Sequence, residues 1–173
     1  KKDHKGRFFK APDAKDIERA QEIERLWDAH EPQFVPEQEI LPGDETDRLH
    51  RWGYMRYREL FNARQLCGLE KSAAFIASVE NERIRHALAT NLSDLLRYQN
   101  MLCRYDTMAL KSLDIFSLHG FPVGLMPVES NLLGIVNGGG TNVGSGGWSN
   151  IIEKYTRAKR YCDAPFEVRR EGK

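Results

Sequence analysis

The chain has 173 residues, 40% of them hydrophobic, enough for one domain of ordinary size, and its 26 Lys+Arg against 25 Asp+Glu leave no bulk-charge argument for nucleic acid. Three widely spaced cysteines, Cys67, Cys103 and Cys162, never form C-x-x-C, so neither a disulfide framework nor a zinc ribbon is written here, and the compartment reads as reducing and cytoplasmic. No apolar run approaches the roughly 20 residues that span a bilayer, so no membrane partner is expected, and the charged start "KKDHKGRFF" has no apolar stretch behind it.

In chain order, "PDAKDIERAQEIERLWDAH" sets Ile17, Ala20, Ile23, Leu26 and Trp27 on one helical face, with Pro12 and Asp13 as its start. "EPQFVPEQEILPGDETD" holds Pro32, Pro36, Pro42 and Gly43, which break helix and central strand alike, so it reads as an extended surface connector with at most a short edge strand. Apolar residues then recur at helical spacing from Glu59 to Val79 (Leu60, Leu66, Leu69, Ala73, Ile76, Ala77) and from Arg83 to Leu102 (Ile84, Leu88, Leu92, Leu95, Met101), predicting two long helices joined near Asn81. A shorter helical pattern in "DTMALKSLDIF" leads into "HGFPVGLMPVESNLLGIV", where proline, glycine and β-branched residues predict turns and short strands confined to residues 118 to 136. A glycine-dense loop and a basic helical segment follow. The fold class is mainly α with a small β portion (α+β), as one domain over 1–173: N-terminal helix and connector to 50, helical core over 51–117, then strands, glycine loop and C-terminal helix. The chain lacks an initiator methionine and is read as a fragment of something longer.

Strand, glycine loop and helix in that order is how many proteins hold a phosphate, but neither nucleotide fingerprint occurs in "LLGIVNGGGTNVGSGGWSNIIEKYTRAKRY". G-x-G-x-x-G is missing, and Gly139 and Gly144 have the P-loop interval with Ser145 where lysine should stand. The loop is therefore read as a mobile connection, with a place along the DNA cleft of the intact enzyme as the alternative, since glycine permits close backbone approach to phosphates. The strongest local pattern is "RWGYMRYRELFNARQLCGLEKSAAF", where Arg51, Arg56, Arg58 and Arg64 alternate with Trp52, Tyr54, Tyr57 and Phe61, a mixture suited to phosphate contact and base stacking. Equally open is a core role for the aromatics, with the arginines solvated or paired to Glu59, Glu70 and Asp47. A second basic set, Lys154, Arg157, Lys159 and Arg160, puts Lys154 and Arg157 on one helical face, which an ordinary solvated face would also do. Arg64 and Gln65 suit phosphate or base-edge contact, or else a cap on a neighbouring helix or a tie to the connector at 31–47. Five scattered histidines show no metal-ligand interval, and no metal site is expected.

"GRFFKAPDAKD" with "VPEQEIL", then "RWGYMRYRELFNARQLCGLEKSAAFI", resembles the interior of the large adenine-specific DNA methylases that contain a zinc-ribbon module. The family pattern W-x-x-L-F-x-x-R-Q-L-x-x-L is matched by Tyr57, Leu60, Phe61, Arg64, Gln65, Leu66 and Leu69, with tyrosine for the tryptophan. "LRYQNMLCRYD" and "MPVESNLLG" are similar to the region before the family's E-x-N-P segment, with Leu132 replacing the proline.

The resemblance implies transfer of a methyl group from S-adenosylmethionine to an adenine amino group in DNA, chemistry that needs a [DN]-P-P-[YF] tetrapeptide stacking on the flipped base. All seven prolines here are isolated, so that tetrapeptide is excluded and no catalytic residue is assigned. The implied role is a helical insert or accessory, target-recognition portion of a larger α/β methyltransferase of restriction-modification type. It is not expected to bind the cofactor or to methylate DNA alone; S-adenosylmethionine belongs to the full-length enzyme. Expected partners are DNA, contacted by Arg51, Arg56, Tyr57, Arg64, Gln65, Lys154, Arg157 and Arg160, and the remaining domains of the same polypeptide. The alternative is a helical protein–protein interaction module of a DNA modification or defence system. What separates the two is whether the basic residues share one face.

Overall fold

The computed structural model describes residues 9–117, 119–123 and 127–168. The fold is mainly helical with two small antiparallel sheets, the predicted α+β class. Helix α1, Ala14–Asp28, starts where its sequence says: Asp13 caps the Asp16 amide at 3.1 Å while the Asp16 carboxylate accepts the Asp13 amide at 3.1 Å, a reciprocal box that satisfies two of the helix's orphan donors. Of its apolar face only Trp27 is buried; Ile17 and Leu26 stay about half exposed. The connector is extended and makes a single bridge, Glu39 to Arg56, with Ile40 N donating to Met55 O. Helix α2, Asp47–Arg51, is short and exists to bury Leu49.

Helix α3, Ala63–Ala77, begins four residues after the Glu59 predicted for it. Asn62 is the reason: its side chain accepts the Gln65 amide at 2.9 Å and Gln65 accepts the Asn62 amide at 3.0 Å, so the chain enters extended and Tyr57–Leu60 forms a separate 3-10 turn. Helix α4, Glu82–Leu96, starts at the Asn81 cap and ends six residues short of the predicted Leu102. There the Asn100 side chain donates to the Leu96 and Arg97 carbonyls and accepts from the Leu102 amide, replacing the helical bonds that would have continued the turn.

The predicted helix in 106–116 is instead a hairpin, β1 (Tyr105–Asp106) with β2 (Lys111–Ser112), followed by a 3-10 turn at Ile115–Ser117. Asp106 accepts the Met108 and Ala109 amides, and Leu110 closes the turn at φ 52, so local side-chain capture beats the helical spacing of the leucines. Strands are thus not confined to 118–136: β3 (Ile135–Val136) pairs across the glycine loop with β4 (Asn142–Val143), beyond that limit. Residues 118 and 124–126 of the expected strand region lie outside the described residues. Helix α5, Trp148–Asp163, is the predicted C-terminal helix.

Helix α1 packs on α3, α3 on α4 and α4 on α5. Two buried clusters, one of Ile40, Leu49, Leu60, Leu102 and Val123 and the other of Leu69, Leu95 and Ile151, are joined by Phe61, which packs against both. Cys67, Cys103 and Cys162 are free thiols, and burial pushes that of Cys103 up to about 11. Among the described residues no helix is long and apolar enough to cross a membrane.

Candidate nucleic-acid interface

The glycine loop first has to be tested as an anion site, since it leads into the N-terminus of a sixteen-residue helix. The donors there are already used: Trp148 N gives its hydrogen bond to Leu132 O at 2.8 Å and Ser149 N to Leu133 O at 3.1 Å, while Asn150 N and Ile151 N both reach Gly147 O. No phosphate or carboxylate can take them without breaking these bonds, so the α5 N-terminus offers no free amides to an anion. Its tip is organised by Asn137, whose Oδ1 accepts the Gly139 and Thr141 amides at 3.0 Å each. Its base is held to the end of α4 by Gln99, a 1% exposed amide donating to Ser130 O and Gly146 O.

Helix α5 buries Ile151 against the core and turns its other face to solvent. Lys154, Arg157 and Tyr161 fall at i, i+3 and i+7, with Arg160 beside them, so these four share one side of the helix. After Asp163 the chain turns back and sets Phe166 edge-on against Tyr161, ring centroids 5.5 Å apart. The result is a groove of about 570 Å³ whose charged lining is Lys154, Arg157 and Arg160, with no carboxylate in its wall. Arg157 meets Glu153 at 3.2 Å, but both side chains are more than half exposed, and such pairs exchange readily for a phosphate. Arg160 forms no ion pair among the described residues.

Lys154 reaches the other way, to Asp94 on α4 at 2.6 Å. Asp94 also accepts from Arg97 at 3.2 Å, and Arg97 bonds Asp114 behind the hairpin at 2.6 Å. Burial opposes the Arg97 charge, but the Asp114 hydrogen bond and charge outweigh it and hold the guanidinium above its ordinary pKa. Of these, Asp94 and Arg97 border a second cavity, a cleft of about 650 Å³ walled by Tyr57, Phe61, Phe116 and Phe121. Arg97 lies 5.7 Å from the ring centroids of both Phe116 and Tyr98.

The structure therefore brings together Lys154, Arg157 and Arg160 in one groove, and places Tyr57 in a cleft whose wall includes Asp94, the carboxylate that Lys154 bonds. The other predicted contact residues lie in neither cavity. Arg51 ends α2 and forms no ion pair among the described residues. Arg56 and Arg58 both bond Glu37, tying down the connector. The partners expected for these arginines have other tasks: Glu59 accepts the Met55 and Arg56 amides, and Glu70 accepts those of Gln33 and Phe34. Arg64 grips Glu129 with two hydrogen bonds, at 2.7 and 2.6 Å, which raise its pKa above the ordinary value. Gln65 is buried inside the α3 cap.

Arg64 and Gln65 thus take structural positions, Gln65 in the cap of its own helix and Arg64 on the 129 loop rather than the 31–47 connector. Replacing Arg64 with alanine should leave the salt dependence of any DNA binding unchanged and remove about 1 kcal/mol, some 3 °C in a thermal melt. A salt slope lower by about one unit would instead place Arg64 on a phosphate.

Phe116, Phe121, Asp94 and Arg97 escaped the sequence reading; "LRYQNMLCRYD" carries Arg97, but nothing local marks it as bordering a cleft. Tyr161 and Phe166 were recoverable in principle, as aromatics beside the second basic set. Comparison with protein-family models, with curated proteins and with solved structures finds no match to this chain.

Proposed function

We propose that the chain is a DNA-contacting accessory portion of an S-adenosylmethionine-dependent DNA adenine-N6 methyltransferase, binding the nucleic-acid backbone along α5 and carrying out no methyl transfer itself. The observation that supports nucleic-acid contact is the convergence of Lys154, Arg157 and Arg160 on one carboxylate-free groove beside an exposed aromatic pair. Near-neutral net charge is compatible with DNA binding only where cations are gathered in this way. The methyltransferase context rests on the resemblance of residues 51 to 69. S-adenosylmethionine would supply the methyl group, and it would be held by other parts of the polypeptide, since the donors at the α5 N-terminus are consumed by Leu132 and Leu133. What this chain's residues do is hold phosphates with Arg157 and Arg160, beside the Lys154–Asp94 pair, at a groove fixed to the core by Ile151 and by the Trp148 indole bond to Ser72.

The test is a salt titration of duplex binding by the Arg157→Ala, Arg160→Ala double variant. The slope of log K against log salt should fall by about 1.8, that is about 0.9 for each phosphate no longer neutralised, with the melting temperature unchanged. A slope equal to that of the unaltered protein removes α5 from the interface. The second reading, a protein–protein interaction module, draws on α1, where Ile17 and Leu26 are 50% and 55% exposed. Absence of DNA binding at low salt would leave that reading standing.

A further inference from the structure

We infer that the aromatic cleft is a holding site for an unpaired nucleobase, so that the chain takes a single-stranded or locally melted strand with phosphates along α5 and a base between Tyr57 and Phe116. This rests on the nucleic-acid reading above and adds what part of the nucleic acid is held, and in which state. Three observations carry it.

The first is what the cleft is made of. About 650 Å³ is the size of a small-molecule pocket rather than a packing defect, and its wall contains four aromatic rings drawn from the 3-10 turn, the segment before α3, the β2 exit and the loop at 121. Phe116 is 71% exposed and Tyr57 40% exposed, so the rim offers aromatic surface to a planar ligand at no cost in core packing. Base–aromatic stacking is favourable with any base.

The second is charge. Asp94 and Asp114 are balanced by Arg97 and Lys154 in a connected set of ion pairs, so the cleft itself gives no net attraction to a phosphate. The α5 groove, which adds Arg157 and Arg160 and has no carboxylate in its lining, does. A neutral ring in the cleft and anions in the groove match the two environments, and the reverse placement matches neither.

The third is adjacency. Asp94 belongs to the cleft wall and Lys154 to the groove wall, and the Lys154 ammonium reaches across to the Asp94 carboxylate at 2.6 Å. A base in the cleft and the phosphate beside it can therefore be held at once. The cleft is a holding site and not a reaction site, because the Asp94 carboxylate is committed to Arg97 and Lys154.

The experiment measures binding of the 173-residue chain to three labelled probes of equal length: an oligothymidylate, an abasic oligonucleotide with the same phosphates, and a duplex. Oligothymidylate should bind about tenfold more tightly than the abasic strand, and Phe116→Ala and Tyr57→Ala should each remove about that factor for oligothymidylate while leaving the abasic strand unaffected. Both rings lie on the rim, and unchanged melting curves for the two variants confirm that the fold is intact. Equal affinity for oligothymidylate and abasic strand overturns the base site and leaves the α5 phosphate groove standing. Preference for the duplex, with both variants silent, does the same. No binding of any probe at low salt overturns the nucleic-acid reading and the base site together.

Discussion

Gly147→Ala should destabilise the fold by about 3 kcal/mol, lowering the melting temperature by about 9 °C, while Gly138→Ala nine residues earlier should change it by less than about 0.5 kcal/mol. Both glycines sit in the loop that looks like a phosphate cradle, and the structure gives them unrelated jobs. A Cβ on Gly147 would fall inside van der Waals distance of the Gly134 Cα and N and only 2.8 Å from the Asn131 carbonyl oxygen, all of them backbone atoms that no side-chain rotation can move aside. The two strands of chain entering and leaving the hairpin are in backbone contact there, and the Trp148 N to Leu132 O bond depends on that closeness. A methyl group added at Gly138 would meet nothing within 4 Å, and Gly138 does not adopt positive φ. Urea or thermal denaturation of the two variants measures the difference. Equal, small effects would mean that the crossing opens freely, and that the α5 donors are then within reach of an anion after all.

Features made by residues close in sequence could be read from it where no competing apolar spacing masked them. The α1 start rests on Asp13 and Asp16, three positions apart, and the basic side of α5 on residues 154 to 161 of a single helix. The hairpin at 105–112 escaped because its leucines keep helical spacing while the decisive contact, the Asp106 carboxylate on two amides, looks like any aspartate in a sequence. The α3 start was written as Asn62 and Gln65 but was overshadowed by Leu60, which shares the helical period and is buried from a 3-10 turn. Ion pairing was the least legible. With 25 acidic side chains available, nothing local tells that Arg64 selects Glu129, 65 residues away, or that Glu37 takes both Arg56 and Arg58. The cleft failed for the same reason: Tyr57, Asp94 and Phe116 come from three separate segments and meet only when the connector, α4 and the hairpin exit are packed.

Glu70→Ala should cost about 2 kcal/mol, lowering the melting temperature by about 6 °C, and should release the connector that forms one edge of the cleft. Glu70 projects from α3 at 5% exposure and accepts two backbone hydrogen bonds from the connector, Gln33 N at 2.7 Å and Phe34 N at 3.0 Å. Backbone N–H bonds to a carboxylate are the strong kind, and here one side chain anchors two successive residues of a segment with almost no secondary structure of its own. Gln33 and Phe34 themselves are exposed, so water can take over part of what is lost, which sets the cost at about 2 kcal/mol rather than twice that. Glu70→Gln keeps one acceptor oxygen and turns an NH2 donor toward the other amide, so it should lose about half as much. Hydrogen exchange separates this local tie from general destabilisation: the Gln33 and Phe34 amides should exchange faster in Glu70→Ala by more than amides in the middle of α4 do. Uniform acceleration across the chain would show that Glu70 acts through the core and not on the connector. If the effect is local, it passes directly to the cleft, because Pro36 lies in the cleft wall, Glu37 holds Arg56 and Arg58, and Gln38 O accepts the Tyr57 amide. A carboxylate outside the cleft would then set the position of the Tyr57 ring in its wall.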